Sequence, residues 1–371
     1  MDKIHVLHVV GQMNFGGTEA FLMNLLRVID REKYQFDFVE QLQDECAHDK
    51  EILSLGSKNY RCPHISPFTL GKYRKWWREF FREHPEYKIV HGHSRGSAPL
   101  YLDEAKKAGR ITIAHCHSSS HGKGIRGAAR FIWQLPLRHM GDYHFACSNA
   151  AGVSQYGEGT AFKVINNGIL SDRFKWSPET HKRIRERYGI SDDSLVVGNV
   201  ARFELPKNHK FLIEIFSAIQ KKLPTAKLML IGTGSLEHEI REQVEQLGLN
   251  SSVIFVGNRS DVYDYYQAMD VFLLPSLYEG LPLVSIEAQA SGLISFTSDK
   301  VVAPECKVTE LMHFIPLENT YEQWAEQILE IVKKREPRRD YSEAVKRAGF
   351  DISETAEWLC GFYRKALDKN D

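Results

Sequence analysis

Cysteine is scarce in this chain: six in 371 residues, with no Cys-x-x-Cys pair among them. That pattern signals neither a zinc site nor a disulfide framework, and it fits a reducing, cytoplasmic compartment. Long apolar runs are missing as well; none approaches the roughly 20 residues of a membrane-spanning helix. The first residues lead directly into a strand-like segment, without a signal-peptide pattern. There is no excess of charge of either sign, with 48 Lys+Arg against 48 Asp+Glu. Through Ile165 the balance is 22 to 17, and beyond it 26 to 31. That asymmetry is too small for a nucleic-acid-binding domain, so no nucleic-acid partner is expected. The glycines after the first strand do not form Gly-x-Gly-x-x-Gly, so the dinucleotide fingerprint is lacking there.

What is present is enough chain for two domains, each with its own core. Ile4–Val10 reads as a buried strand, followed by a glycine-bearing loop through Gly17. Thr18 is a candidate cap for a helix with Leu22, Leu25, Leu26 and Ile29 on one face. Phe36–Val39, Ile89–His93, Ile111–Cys116, Tyr143–Cys147 and Lys163–Ile165 read as further strands. The aromatic run between Lys72 and Arg82 has the helical spacing of core packing. The second half alternates regularly. Strands are expected at Leu195–Ala201, Lys227–Ile231, Val253–Val256 and Val271–Leu274, with helices between them. Such βαβ repetition implies parallel, doubly wound sheets with right-handed crossovers. Thr320 and Gln323 have the spacing of a capping box, and Ser353 is a candidate cap for the last helix.

Histidines recur as His91/His93 and His115/His117, each pair on one face at a strand end. Two His-x-His pairs could hold a metal, or they could line the crevice where ligands bind in open α/β sheets. From Ala105 to Gly141 there is no acidic residue, while Arg126, Arg130 and others are basic and Phe131, Ile132 and Trp133 are apolar. This stretch is either an ordinary helix with a solvated basic face or a surface for an anionic membrane or a phosphorylated acceptor. His91, His93, His115, Arg126 and Arg130 are the residues that would face such an acceptor if this half receives one.

The most informative stretch is 275–292, PSLYEGLPLVSIEAQASG. A short buried strand ends in a loop, and Pro282 can open a helix because its missing N–H is not needed there. A helix N-terminus aimed outward from a glycine loop favours an anion. Glu279 and Glu287 cannot bind phosphate themselves, but carboxylates are strong acceptors for hydroxyls. Sugar plus phosphate is the ligand this suggests. Arg202 and Lys207 sit just past another strand end, where two cations can hold phosphate oxygens.

Glu279-Gly280-Leu281-Pro282 through Glu287-Ala288 resembles the Glu-x7-Glu signature of the GT-B glycosyltransferases of family 4. Three further motifs are similar to that family's: Gly16-Gly17-Thr18-Glu19, Arg202-Phe203 with Lys207-Asn208, and Asn166-Asn167-Gly168-Ile169 at the domain crossover. Gly232-Thr233-Gly234 looks like its Gly-x-Gly turn. The combination of Pro-Ser-Leu-Tyr-Glu-Gly-Leu-Pro with Glu-Ala-Gln-Ala-Ser-Gly looks like the exopolysaccharide- and capsule-building branch. Three positions depart from the pattern. Leu170 replaces an Asp, Gly292-Leu293-Ile294 lacks a proline, and Lys300-Val301 stands where a glycine pair is common.

The resemblance implies an α/β, GT-B architecture: two Rossmann-like doubly wound domains facing a central cleft. It places an acceptor-side domain at 1–167, joined by the last helix 352–371, and a nucleotide-sugar-binding domain at 168–351. The activity implied is that of a retaining hexosyltransferase moving a sugar from a nucleotide-sugar, UDP-linked by expectation, to a polysaccharide or lipid-linked saccharide. The catalytic set implied is Glu279, His117, Arg202 and Lys207. The donor-binding set adds Gly16, Gly17, Gly234, Arg259, Gly280, Leu281, Pro282, Leu283 and Glu287. No strict Asp-x-Asp occurs, so the metal-clamped diphosphate of the other common glycosyltransferase fold is not expected, nor is any cofactor or metal. Contact with the cytoplasmic membrane face is a further expectation. A nucleotide-sugar epimerase, or a non-catalytic nucleotide-sugar-binding component of a polysaccharide-synthesis complex, would share these motifs. Incubation with donor alone separates the first, because an epimerase converts it without acceptor.

Overall fold

The computed structural model describes residues 3–14, 16–66, 68–118 and 124–369, the side chains of 125–128 and 130 excepted. The chain divides into two units, Met1–Gly168 with Ile352–Asp371, and Ile169–Asp351.

In the first unit, β1 (Ile4–Val10), β2 (Tyr34–Glu40), β3 (Asn59–Arg61), β4 (Ile89–Gly92), β5 (Ile111–Cys116), β6 (Tyr143–Ala146) and β7 (Lys163–Val164) form one sheet in the order β3-β2-β1-β4-β5-β6-β7. Every pairing is parallel, so both faces must be covered by the connecting helices. One face packs on the aromatic helix Leu70–Glu83, whose Tyr73, Trp77, Phe80 and Phe81 are buried. On the other side lie the helices Gly17–Val28 and Ile352–Asp368, the latter tied to the sheet by the Tyr34 hydroxyl of β2 donating to the Cys360 carbonyl at 2.9 Å. The first helix starts at Gly17 with Gly16 as its cap, so Thr18 lies in the first turn and caps nothing. Ser353 likewise lies inside the last helix, which begins at Ile352.

In the second unit, β8 (Val196–Val200), β9 (Lys227–Ile231), β10 (Val253–Gly257), β11 (Val271–Leu274), β12 (Ile294–Ser298) and β13 (Met312–Ile315) run β10-β9-β8-β11-β12-β13, again all parallel. Neighbouring residues of a strand serve opposite faces. Val197, Leu228, Leu230 and Leu273 join the core under helix His209–Lys222, while Val196, Met229, Ile231 and Leu274 join the core on the opposite face. Thr320 and Gln323 close both bonds of a capping box on helix Tyr321–Lys333. The chain leaves β8 towards β9 on one side and returns to β11 on the other. That reversal opens a crevice beyond the carboxyl ends of β8 and β11, the place where open α/β sheets bind ligands. In the first unit the reversal falls between β1 and β4.

Candidate active site

The crevice of the second unit is built from three loops tied together by backbone bonds. After β8, the Phe203 amide donates to the Thr233 carbonyl at 3.0 Å, and the Leu236 amide donates to the Phe203 carbonyl at 3.0 Å. Glu204 accepts from the Ser235 amide at 3.2 Å and the Ser235 hydroxyl at 2.9 Å. Gly232 holds φ +132, and a Cβ there or at Gly234 would collide with the backbone of Ala201 or Phe203. Glycine is thus required at both for the two loops to touch. The third loop follows β11: the Leu277 amide donates to the Pro206 carbonyl at 2.8 Å, and the Asn208 side chain donates to the Pro275 carbonyl at 3.0 Å.

This stitching brings Lys207 and Glu279 into a direct ion pair, both side chains half-buried. Arg202, two residues past the end of β8, is exposed and makes no ion pair among the described residues. Pro282 caps helix Leu283–Ala290, the Ser285 amide donating back to the Pro282 carbonyl at 3.0 Å, and a helix N-terminus of this kind favours negative charge. Gly280, Leu281 and Leu283 line this turn, and the Gly280 carbonyl accepts from the Ala303 amide at 2.9 Å. Glu287 lies one turn into the helix and accepts from the Tyr266 hydroxyl at 2.9 Å. Burial pushes its carboxyl up to about 7, although part of the side chain still meets solvent. Arg259 is exposed beside Tyr265 and forks onto Asp261 at 2.8 and 2.7 Å.

In the first unit, Gly16 and Gly17 are exposed at the helix start, and Asn167 is the neighbour a side chain at Gly17 would meet. Directly beneath lies an array of five histidines from β1, β4 and β5 and the residues just past them. His8 Nδ1 contacts His93 Nε2 at 3.0 Å, and His93 Nδ1 contacts His117 Nε2 at 2.8 Å. His117 Nδ1 ends this row on the Asn167 side-chain oxygen at 3.2 Å. A second row runs from the Tyr363 hydroxyl to His91 Nδ1 at 2.6 Å, and from His91 Nε2 to His115 Nδ1 at 3.1 Å. The rows stack, His91 on His93 at 4.3 Å and His115 on His117 at 4.0 Å between ring centres. Burial holds His8 near 3, His117 near 4 and the other three well below the ordinary 6.5, so all five are neutral.

The expected acceptor-side residues thus divide. His91 and His115 are sealed within the sheet face by Phe21, Phe145 and Tyr363, which closes them to direct contact with an acceptor. His93 is nearly so, and only His117 is partly exposed. The side chains of Arg126 and Arg130 lie outside the described residues. Two histidine triads have nitrogens within 4.8 Å of one another. However, His93 spends its two nitrogens on neighbours at opposite edges, where a metal needs lone pairs converging on one point. Three residues of these arrangements were not among the sequence candidates. His8 shares the strand parity of the other histidines, a signal that was available. Tyr266 and Tyr363 carry no local pattern that marks them.

Residues 15–173 match the family described as Glycosyltransferase Family 4, and residues 180–348 match Glycosyl transferases group 1. The EpsF protein of Bacillus subtilis (strain 168), named a glycosyltransferase, is 31% identical over 98% of this chain and 97% of its own. The chain belongs to the family-4 glycosyltransferases. An Escherichia coli relative named as a UDP-Gal:alpha-D-GlcNAc-diphosphoundecaprenol alpha-1,3-galactosyltransferase is 26% identical over 58% of each chain. Among solved structures, Anabaena HepE in complex with UDP-glucose superposes with a TM-score of 0.76 at 18% identity, covering 98% of this chain and 99% of that one. This glycosyltransferase therefore has the GT-B fold, its relatives include proteins of polysaccharide biosynthesis, and none of its described helices is long and apolar enough to cross a membrane.

Proposed function

We propose that this glycosyltransferase moves a hexose from a UDP-sugar to a growing polysaccharide or lipid-linked saccharide, with retention of anomeric configuration and without a metal. The observation that carries the reading is the Lys207–Glu279 ion pair beside the N-terminus of helix Leu283–Ala290, with Glu287 recessed one turn behind it. In the resting site the cation and carboxylate neutralise each other. A diphosphate seated on the helix N-terminus, Arg202 and Lys207 would draw Lys207 away and release Glu279 to accept from a sugar hydroxyl. Glu287 would accept from the ribose. Gly234, Gly280, Leu281 and Leu283 would bring backbone close to the phosphates, and Arg259 would lie by the base. The leaving phosphate concentrates negative charge, so fixed cations and amides lower the barrier; one such donor is commonly worth about 3–4 kcal/mol. The same phosphate, on the face the acceptor attacks, can take the acceptor proton, which suits retention.

UDP as the carrier rests on the names of the galactosyltransferase relative and the HepE complex. Peripheral membrane contact rests on the basic stretch before Gly141, where Ile132 is 64% and Trp133 42% exposed. Thermal shift with UDP, GDP, ADP and their sugars tests the carrier, since a ligand that binds the native state raises its stability. Unchanged donor affinity in Glu287→Ala would reject the ribose role. Conversion of donor in the absence of acceptor would assign an epimerase instead.

A further inference from the structure

The row His8–His93–His117–Asn167 can carry its protons in only two ways, because each imidazole is neutral and each contact needs one donor and one acceptor. In the first, His117 gives its Nδ1–H to the Asn167 oxygen, His93 gives its Nδ1–H to His117 Nε2, and His8 gives its Nδ1–H to His93 Nε2. His8 Nε2 is then a bare lone pair. In the second, every proton is reversed and His8 Nε2 carries an N–H. That nitrogen is buried and has no hydrogen-bond partner among the described residues. An orphaned buried N–H is rarer than an under-satisfied acceptor. The Asn167 oxygen, which can only accept, faces His117 Nδ1. Both observations select the first arrangement.

We propose that His93 is a positioning residue: by donating to His117 Nε2 it leaves His117 only its Nδ1–H to offer, so that His117 meets a ligand as a hydrogen-bond donor and cannot act as a base. This rests on the reading that places His117 beside the transferring sugar. The link from His117 to Asn167, at 3.2 Å, is the longest in the row, and the link to His93, at 2.8 Å, the shortest. A sugar oxygen can therefore displace the Asn167 oxygen while His93 keeps its hold. Burial supports the assignment, since one imidazolium in the row would set N–H against N–H.

The test is nitrogen-15 labelling of histidine in the full chain, with two-bond nitrogen–proton correlation spectra at neutral pH. Single substitutions assign the signals. His8, His93 and His117 should appear as Nδ1–H tautomers, whereas an imidazole free in water favours Nε2–H. In His93→Phe the His117 signal should revert towards Nε2–H. In His93→Asn, whose amide places an N–H where Nδ1–H was, the Nδ1–H form should persist. Turnover of a nucleotide-sugar should follow the tautomer. In His93→Phe kcat should fall about 10- to 100-fold, as when a ligating histidine loses its orienting hydrogen bond, with KM for donor little changed; His93→Asn should restore most of it. Asn167→Asp, which still only accepts, should keep the signature if His93→Phe does not fold. An Nε2–H or doubly protonated His117 in the unsubstituted protein overturns the inference whatever the activity. So does one tightly bound equivalent of zinc, nickel or copper on these rings. An Nδ1–H signature accompanied by unchanged kcat in His93→Phe overturns it too, while leaving the glycosyl-transfer reading intact.

Discussion

Acid should open the first unit before the second. The perturbation is a fall from about pH 7.5 to about 5.5. His8, His91, His93, His115 and His117 all sit below the ordinary 6.5 because burial disfavours their charged forms. In the unfolded chain they titrate normally, so below 6.5 the unfolded state binds more protons and stability drops as pH falls. Over this range each buried neutral imidazole forfeits about 1.4 kcal/mol, and five together about 7 kcal/mol. That rivals the whole folding free energy of an ordinary domain, about 5–15 kcal/mol. The second unit has one comparable histidine, His209, held near 4, while His181 and His313 are lowered less completely by partial burial. Glu287 works in the opposite direction. Its carboxyl is raised to about 7, so the folded state gains protons that the unfolded state lacks, and acid stabilises it by about 2 kcal/mol over the same range. Hydrogen exchange read by mass spectrometry, corrected for the intrinsic pH dependence of amide exchange, separates the units. Peptides over β1, β4 and β5 should lose protection well before those over β8, β9 and β11. Equal loss in both sheets, or protection in the first sheet constant to within about 1 kcal/mol, would refute the assignment of five neutral buried imidazoles.

Four further outcomes follow from the site. Arg202→Ala should leave thermal stability within the range of a surface substitution, about 0.5 kcal/mol, because the side chain is exposed and makes no ion pair among the described residues. Yet it should lower kcat/KM for transfer about 100- to 1,000-fold, the effect of losing one preorganised donor; steady-state kinetics with a melting curve checks both halves. Lys207→Ala and Glu279→Ala should be strongly non-additive in a double-mutant cycle of donor affinity, since each partner restrains the other in the free site. Donor affinity by calorimetry should weaken as pH falls through about 7, when Glu287 takes up a proton, and Glu287→Gln should flatten that dependence. Gly234→Ala should cost about 1–3 kcal/mol in denaturant unfolding, because the new methyl overlaps the Phe203 carbonyl and forces it to shift.

The fold was legible wherever burial and chemistry coincided. The bounds of β1, β5, β9 and β11 agree with the apolar runs Ile4–Val10, Ile111–Cys116, Lys227–Ile231 and Val271–Leu274. The strands β12 and β13 were not read from the sequence. In β12, Ser295, Thr297 and Ser298 are fully buried but polar. Their hydroxyls donate to the carbonyls of Leu293, Leu274 and Ser276 at 2.8–3.0 Å, so the strand pays no penalty for polarity that its composition would suggest. The short helix Asp49–Ser54 and strand β3 were equally silent; there Arg61 pairs with Glu40 and Asp49, and charge takes the place of apolar periodicity.

The site divides along the same line. Resemblance to the family's motifs, together with their place in loops at strand ends, marked Glu279, Glu287, Arg202 and Lys207 as candidates. What spacing could not show is state: Lys207 is already paired, Glu287 is recessed and raised, and His117 has both nitrogens engaged. Those facts depend on residues far away in sequence, Tyr266 for Glu287 and Asn167 with His93 for His117. They also change the chemistry available. A His117 with free nitrogens could serve as acid, base or ligand, whereas one held between His93 and Asn167 has a single proton to offer in a single direction. The sequence names candidate atoms for the reaction; only the packing around them decides which of those atoms can give or take a proton.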